Sequence, residues 1–140
     1  MIITATDWDS QRWPNYSAGE VSCSHTGELR MEDFFLDFLQ QLRRAVNRPV
    51  TITSGYRAPT HPVEVAKASP GTGSHCHGLA ADISCSGAYA LQLLSKALQI
   101  TADLGCGVKQ HGGYGRRFLH FDLAPPDDNG RPRPHIWSYA

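Results

Sequence analysis

Apolar residues recur at helical spacing between Arg30 and Asn47: Met31, Phe34, Phe35, Phe38, Leu39, Leu42 and Val46, with Glu32, Asp33, Gln40, Arg43 and Arg44 mostly elsewhere. That period predicts an amphipathic helix with its phenylalanines in the core. Its acids fall in the first turn and its arginines in the last, as the helix dipole favours. Pro49 ends it, because the residue before a proline is pushed out of the helical region. Val50-Thr51-Ile52-Thr53 is β-branched and alternating, so a strand is predicted there, closed by a turn at Ser54-Gly55-Tyr56-Arg57. The stretch from Ala58 to Ser74 holds Pro59, Pro62, Pro70, Gly71 and Gly73 and reads as a long loop. Loops of that length without structure of their own are usually functional or disordered.

Gly78 to Ile83 predicts a second strand. Gly87 to Leu104 predicts a second helix with Leu91, Leu94, Ala97, Leu98 and Leu104 on its apolar side, capped by Gly105. Gly105 to Val108 reads as a third strand and Gln110 to Gly115 as a glycine-rich turn. Phe118 to Leu123 reads as a fourth strand, with His120 and Asp122 on one face and Phe121 and Leu123 on the other. Residues 1–27 read as an irregular lead-in, and the Pro-, Asp- and Arg-rich tail from Pro125 as a surface wrap anchored by Trp137. The expected architecture is one α+β domain over residues 1–140, with helices packed on one side of a small, mainly antiparallel sheet.

The chain has 140 residues, enough for one core, and is 41% hydrophobic and 19% charged with a formal net charge of zero. That balance gives no global pull toward nucleic acid or an anionic membrane. No apolar run is long enough to cross a bilayer, and residues 1–8 carry no basic-then-apolar leader. Synthesis in the cytoplasm without a signal peptide, and a monomer, are expected. Cys23, Cys76, Cys85 and Cys106 form no CxxC pair, so a zinc ribbon or thioredoxin-like site is not indicated. Most read as small buried apolar residues; a Cys85–Cys106 disulfide is an option in an oxidising compartment.

The candidate chemistry lies in Gly73-Ser74-His75-Cys76-His77-Gly78-Leu79-Ala80-Ala81-Asp82 and Phe118-Leu119-His120-Phe121-Asp122. Two imidazoles and a carboxylate, His75, His120 and Asp82, make a three-ligand zinc set with one position open. Catalytic zinc sites have that form, whereas structural ones are usually closed by four protein ligands. Such a site serves hydrolysis, because zinc brings the pKa of a bound water close to neutral.

Together, Ser54-Gly55-Tyr56-Arg57, His75-x-x-Gly78-x-Ala80-x-Asp82 and His120-x-Asp122 resemble the zinc D-alanyl-D-alanine carboxypeptidase and L-alanyl-D-glutamate endopeptidase family, whose fold is shared with the hedgehog signalling domain. The likeness covers about Ser22 to Leu123 and is closest to the small branch found in phages and bacteria. It implies one zinc ion held by His75, Asp82 and His120. It also implies cleavage of an amide in peptidoglycan stem peptides at the bacterial cell wall, in the periplasm or from a phage particle. The resemblance places Arg57 near the metal, where a guanidinium can fork onto a carboxylate or oxyanion. Many relatives have a glutamate base where Arg117 stands, and others have His-x-His where Phe118 begins Phe118-x-His120. Gly73 replaces a serine common in relatives, beside Ser74, whose place is often polar.

Asp122 shares the strand face of His120 and could act as base or orient the ligand imidazole. An assignment with Asp122 as ligand and His120 as base would leave zinc with a single imidazole. His77 is a second candidate for proton transfer. Arg57, Ser74 and His111 are candidate substrate contacts. Glu64 reads as surface-exposed, with a bridge to Arg57 as its alternative. A different class, a zinc-bearing wall-binding or virion structural module, is favoured by the missing glutamate at Arg117.

Overall fold

The computed structural model describes residues 1–127 and 130–140, so residues 128 and 129 of the predicted tail wrap lie outside it. The elements are β1 (Ile2–Ile3), a 3-10 turn (Ala5–Asp7), α1 (Ala18–Val21), β2 (Met31–Glu32), α2 (Asp33–Val46), β3 (Ile52–Ser54), α3 (Pro62–Val65), β4 (Ala80–Ser84), α4 (Gly87–Ile100), β5 (Gly105–Lys109), a second 3-10 turn (Tyr114–Arg116), β6 (Phe118–Asp122) and β7 (His135–Ser138). The fold is α+β. A five-stranded sheet runs in the order β3-β4-β6-β5-β7, and β1 and β2 form a small separate pair.

Alternation along β4, β5 and β6 splits the sheet into two faces. Ala81, Ile83, Cys106, Leu119 and Phe121 join Phe35, Phe38, Leu39 and Leu42 of α2 and Ala90, Leu93 and Ala97 of α4 in the core. The other face carries one row of mutually paired residues, Ser54, Asp82, His120, Gly107 and Trp137. A neighbouring row holds Ala80, Asp122, Gly105 and His135. Because side chains two apart on a strand share a face, burying Phe121 and Leu119 turns His120 and Asp122 outward together.

Several expectations change. The helix predicted from Arg30 begins only at Asp33, since Met31 and Glu32 pair with β1. Asp33 in its first turn and Arg43 and Arg44 in its last do match the dipole. Phe34, expected in the core, is 49% exposed, because Phe35 and Phe38 occupy the buried stripe. On α4 the predicted apolar side is rotated: Ala90, Leu93 and Ala97 are buried while Leu91 and Leu98 face solvent. This helix ends at Ile100 with Thr101 as its cap, and Gly105 opens β5 rather than capping. The first strand lies at Ile52–Ser54, later than predicted, and the long loop contains α3.

The lead-in is largely irregular, as expected, but packs into the core. Trp13, Tyr16, Val21 and Cys23 are core residues, and the Trp13 indole and the Arg12 guanidinium both donate to Asp37 of α2. The tail is not merely a wrap, since β7 extends the sheet by pairing parallel with β5. All four cysteines are free. Burial pushes the Cys85 thiol up to about 11 and the Cys106 thiol up to about 12, so both remain protonated, inert apolar residues.

Candidate metal centre

Asp82 is central in β4 and His120 is its direct partner on β6. His75 arrives from the turn before β4. That turn is fixed by Leu79 N–H donating to Ser74 O and by Arg57 N–H donating to His75 O. It reverses at Gly78, whose φ is +70° and whose missing side chain leaves room for the backbone of Met31: a Cβ there would lie 2.7 Å from Met31 Cα. Only glycine combines that dihedral with that approach.

The three candidate ligand atoms converge. His120 Nδ1 lies 3.2 Å from His75 Nε2 and 3.1 Å from Asp82 Oδ1, and His75 Nε2 lies 3.3 Å from Asp82 Oδ1. Ligands about 2.0–2.1 Å from a tetrahedral zinc stand about 3.3 Å from each other. The triangle therefore has the dimensions of one face of such a coordination shell, and this trio could hold a metal ion.

The outer hydrogen bonds give the same result. His75 Nδ1 lies 2.8 Å from Gly55 O, an acceptor only, so Nδ1 carries the proton and Nε2 presents a lone pair. His120 Nε2 lies 2.7 Å from Asp122 Oδ2, which leaves Nδ1 as the inward atom. Two neutral imidazole lone pairs and a carboxylate oxygen then face one another without a proton between them, a set that calls for a positive charge. The ionisation reflects the same proximity. Burial opposes the charge on Asp82, but the adjacent His120 and His75 imidazoles outweigh it and hold its carboxyl below the ordinary range. Burial likewise opposes a charged His120, yet Asp122 and Asp82 raise its pKa, so a proton competes with a cation for the Nδ1 that faces Asp82.

Asp122 is completely buried. It accepts from His120, from Arg133 Nε at 2.8 Å and Nη2 at 2.9 Å, and from the Ala124 N–H at 3.2 Å, with Ser74 Oγ at 3.5 Å. Burial would raise its pKa; His120 and Arg133 bring it down to about 2. The ring of Trp137 stands 5.3 Å from that of His120.

A cleft of about 450 Å³ opens onto this group. His75, Asp82, His120, Asp122, Arg57 and Ser74 all line it, so the structure brings six of the eight sequence-derived site residues together. His77 and His111 are exposed and are not among the lining residues. Arg57 Nη1 donates to Glu64 at 3.1 Å and Nη2 to Ser54 Oγ at 3.2 Å, while its buried Nε–H has no partner among the described residues. Glu64, expected at the surface, is fully buried and salt-bridged to both Arg57 and Lys67. Cys76 leans on Glu64, and burial with that neighbour pushes its thiol up to about 11, which disfavours thiolate ligation. Arg117 donates to Gly112 O and stacks on Tyr114, away from the cleft.

Lys67, Arg131, Arg133, Trp137 and Tyr139 also line the cleft and were not singled out from sequence for this role. For Arg133 one signal exists: an acid two residues beyond a ligand, on a closed sheet face, needs a cation, and the tail is rich in arginine.

The family model described as Peptidase M15 matches residues 15–122, well over half of the chain. No curated protein and no solved structure matches it.

Proposed function

The chain belongs to the peptidase M15 family, and on that premise we propose that it is a zinc peptidase cleaving an amide of peptidoglycan stem peptides. Peptidases of this family are zinc-dependent. The observation that carries the reading is the triangle of His75 Nε2, Asp82 Oδ1 and His120 Nδ1 with edges of 3.1–3.3 Å at the base of a cleft.

Zinc bound by these three residues would supply Lewis acidity toward the scissile carbonyl and an acidified water. The protein's own part is to orient. Asp122 fixes the His120 ring, and the Gly55 carbonyl fixes that of His75. Arg57 lines the cleft, which supports a role for its guanidinium in holding a substrate carboxylate or oxyanion. Ser74 offers a hydroxyl within the same cleft. The hydrogen bonds already made by Asp122 favour its orienting role over that of proton acceptor.

That saturation supports a second reading. Among the described residues, the only carboxylates lining the cleft are Asp82 and Asp122, and neither is free to serve as base, which suits a wall-binding or virion structural module of low activity. Cell walls incubated with the purified chain and zinc separate the two readings through the amino groups newly released. The peptidase reading expects release that falls at least about 100-fold in His75→Ala; release that survives the substitution overturns it. Mass analysis of fragments from a defined muropeptide then identifies the bond.

A further inference from the structure

The strongest unassigned feature is Arg133, which lies beyond the residues matched by the family model and reaches back into the metal centre. We propose that Arg133 is a positioning residue for the metal: its guanidinium locks Asp122, and through Asp122 the ring of His120, in the orientation that presents Nδ1 to zinc. The proposal rests on the zinc reading of His75, Asp82 and His120.

The geometry is that of a fork. Nε donates to Oδ1 at 2.8 Å and Nη2 to Oδ2 at 2.9 Å, so both carboxylate oxygens are fixed at once. Without the fork, Oδ1 would keep only the 3.2 Å bond from the Ala124 N–H, and Oδ2 would rest on His120 itself and the 3.5 Å Ser74 contact. Oδ2 is also the atom that receives His120 Nε2–H at 2.7 Å. Holding Oδ2 therefore holds the imidazole tautomer and ring plane.

The surrounding chain is shaped to admit this contact. The Arg133 side chain is 7% exposed and Asp122 is fully covered. A Cβ at Gly105, one strand over on β5, would lie 2.5 Å from Arg133 Nε and would collide with Asp122. Glycine at that position leaves room for the fork to pass. Arg133 also lies 5.3 Å from the Trp137 ring, which in turn faces His120. The strand that carries Trp137 is held by its parallel pairing with β5. The tail thus contributes to ligand orientation, not only to the cleft wall.

An arginine that merely neutralised a buried acid would affect stability alone, whereas a positioning residue sets metal affinity. The test is a zinc titration of the full chain against a chromophoric chelator, alongside the melting temperature of each metal-free protein. Arg133→Met is expected to weaken zinc binding about 10-fold, the lower end of the loss that follows removal of a ligand histidine's own carboxylate partner, because Arg133 acts through Asp122. Arg133→Lys keeps charge without the fork and is expected to recover only part of that loss. Raising zinc to saturation should restore turnover to Arg133→Met, with KM little changed. Zinc affinity within twofold of the parent in Arg133→Met overturns the proposal. Should that variant fail to fold, parent-like affinity in Arg133→Lys overturns it instead. A parent chain that binds no zinc defeats the metal reading itself and this inference with it, an outcome distinct from a parent that binds and a variant that binds equally well.

Discussion

Glu64 shows how much can depend on one side chain outside the metal triad. It is fully buried, and its Oε2 accepts from Arg57 at 3.1 Å and Lys67 at 2.7 Å. Burial would raise its pKa, but Lys67, Cys76 and Arg57 hold it at about 2 against an ordinary 4.5. A displacement of that size corresponds to about 3 kcal/mol of folding free energy. The folded pKa is the lower one, so the unfolded chain binds the extra proton between the two values and stability rises with pH there. The contribution is complete above about 4.5 and is lost as pH falls toward about 2. Glu64→Gln should therefore cost about 3 kcal/mol at neutral pH, by strandedness of a largely buried Arg57, and should flatten the acid limb of the stability profile. Denaturant melts of both proteins from pH 2 to 7 check this; parallel profiles would contradict it. The burial was not legible in the sequence because an isolated glutamate in a proline-rich loop carries no spacing signal. Its partner Arg57 was singled out for a different reason.

Among the elements, α2 offers a direct contrast between its adjacent phenylalanines. Phe35 is fully buried and Phe34 is 49% exposed, although both satisfy an apolar helical pattern. Phe35→Ala should cost about 3–5 kcal/mol through the cavity it leaves, whereas Phe34→Lys should stay within about 0.5 kcal/mol. Equal losses in chemical denaturation would contradict the observed register of the helix. The hydrophobic period located this helix and its buried Phe35, Phe38, Leu39, Leu42 and Val46, but not its start, since Met31 and Glu32 pair with β1, nor the exposure of Phe34 at the edge of the stripe. On α4 the phase itself differs, since small Ala90 and Ala97 face the core while Leu91 and Leu98 face solvent. Strands β4 and β6 were legible because they alternate cleanly. Strand β7 was not, because Pro132 and Pro134 make its approach read as coil and its partner β5 lies far away in sequence. With β7 hidden, so was Arg133. The grouping of His75, Asp82 and His120, by contrast, was legible mainly through the resemblance of their motifs to a known family, with residue type and spacing beside it.

For the whole molecule, the division of the sheet into two faces decides what zinc does for the fold. The core between α2, α4 and the inner sheet face contains none of the three candidate ligands. A zinc finger unfolds without its metal because the ion replaces a core; this chain has the core already. The metal-free protein should therefore fold cooperatively, with zinc adding stability only by mass action. At free zinc a thousandfold above the dissociation constant that addition is about 4 kcal/mol. At roughly 2–8 °C per kcal/mol for domains near this size, a strong chelator should lower the melting temperature by on the order of 10–20 °C. His75→Ala should melt near the chelated parent and ignore chelator altogether. Calorimetry of the two proteins with and without chelator measures all four values. Loss of any cooperative transition in the chelated parent would mean that the ligand face, and not the apolar one, holds the chain together. A cooperative but unshifted transition would mean that His75, Asp82 and His120 hold no zinc.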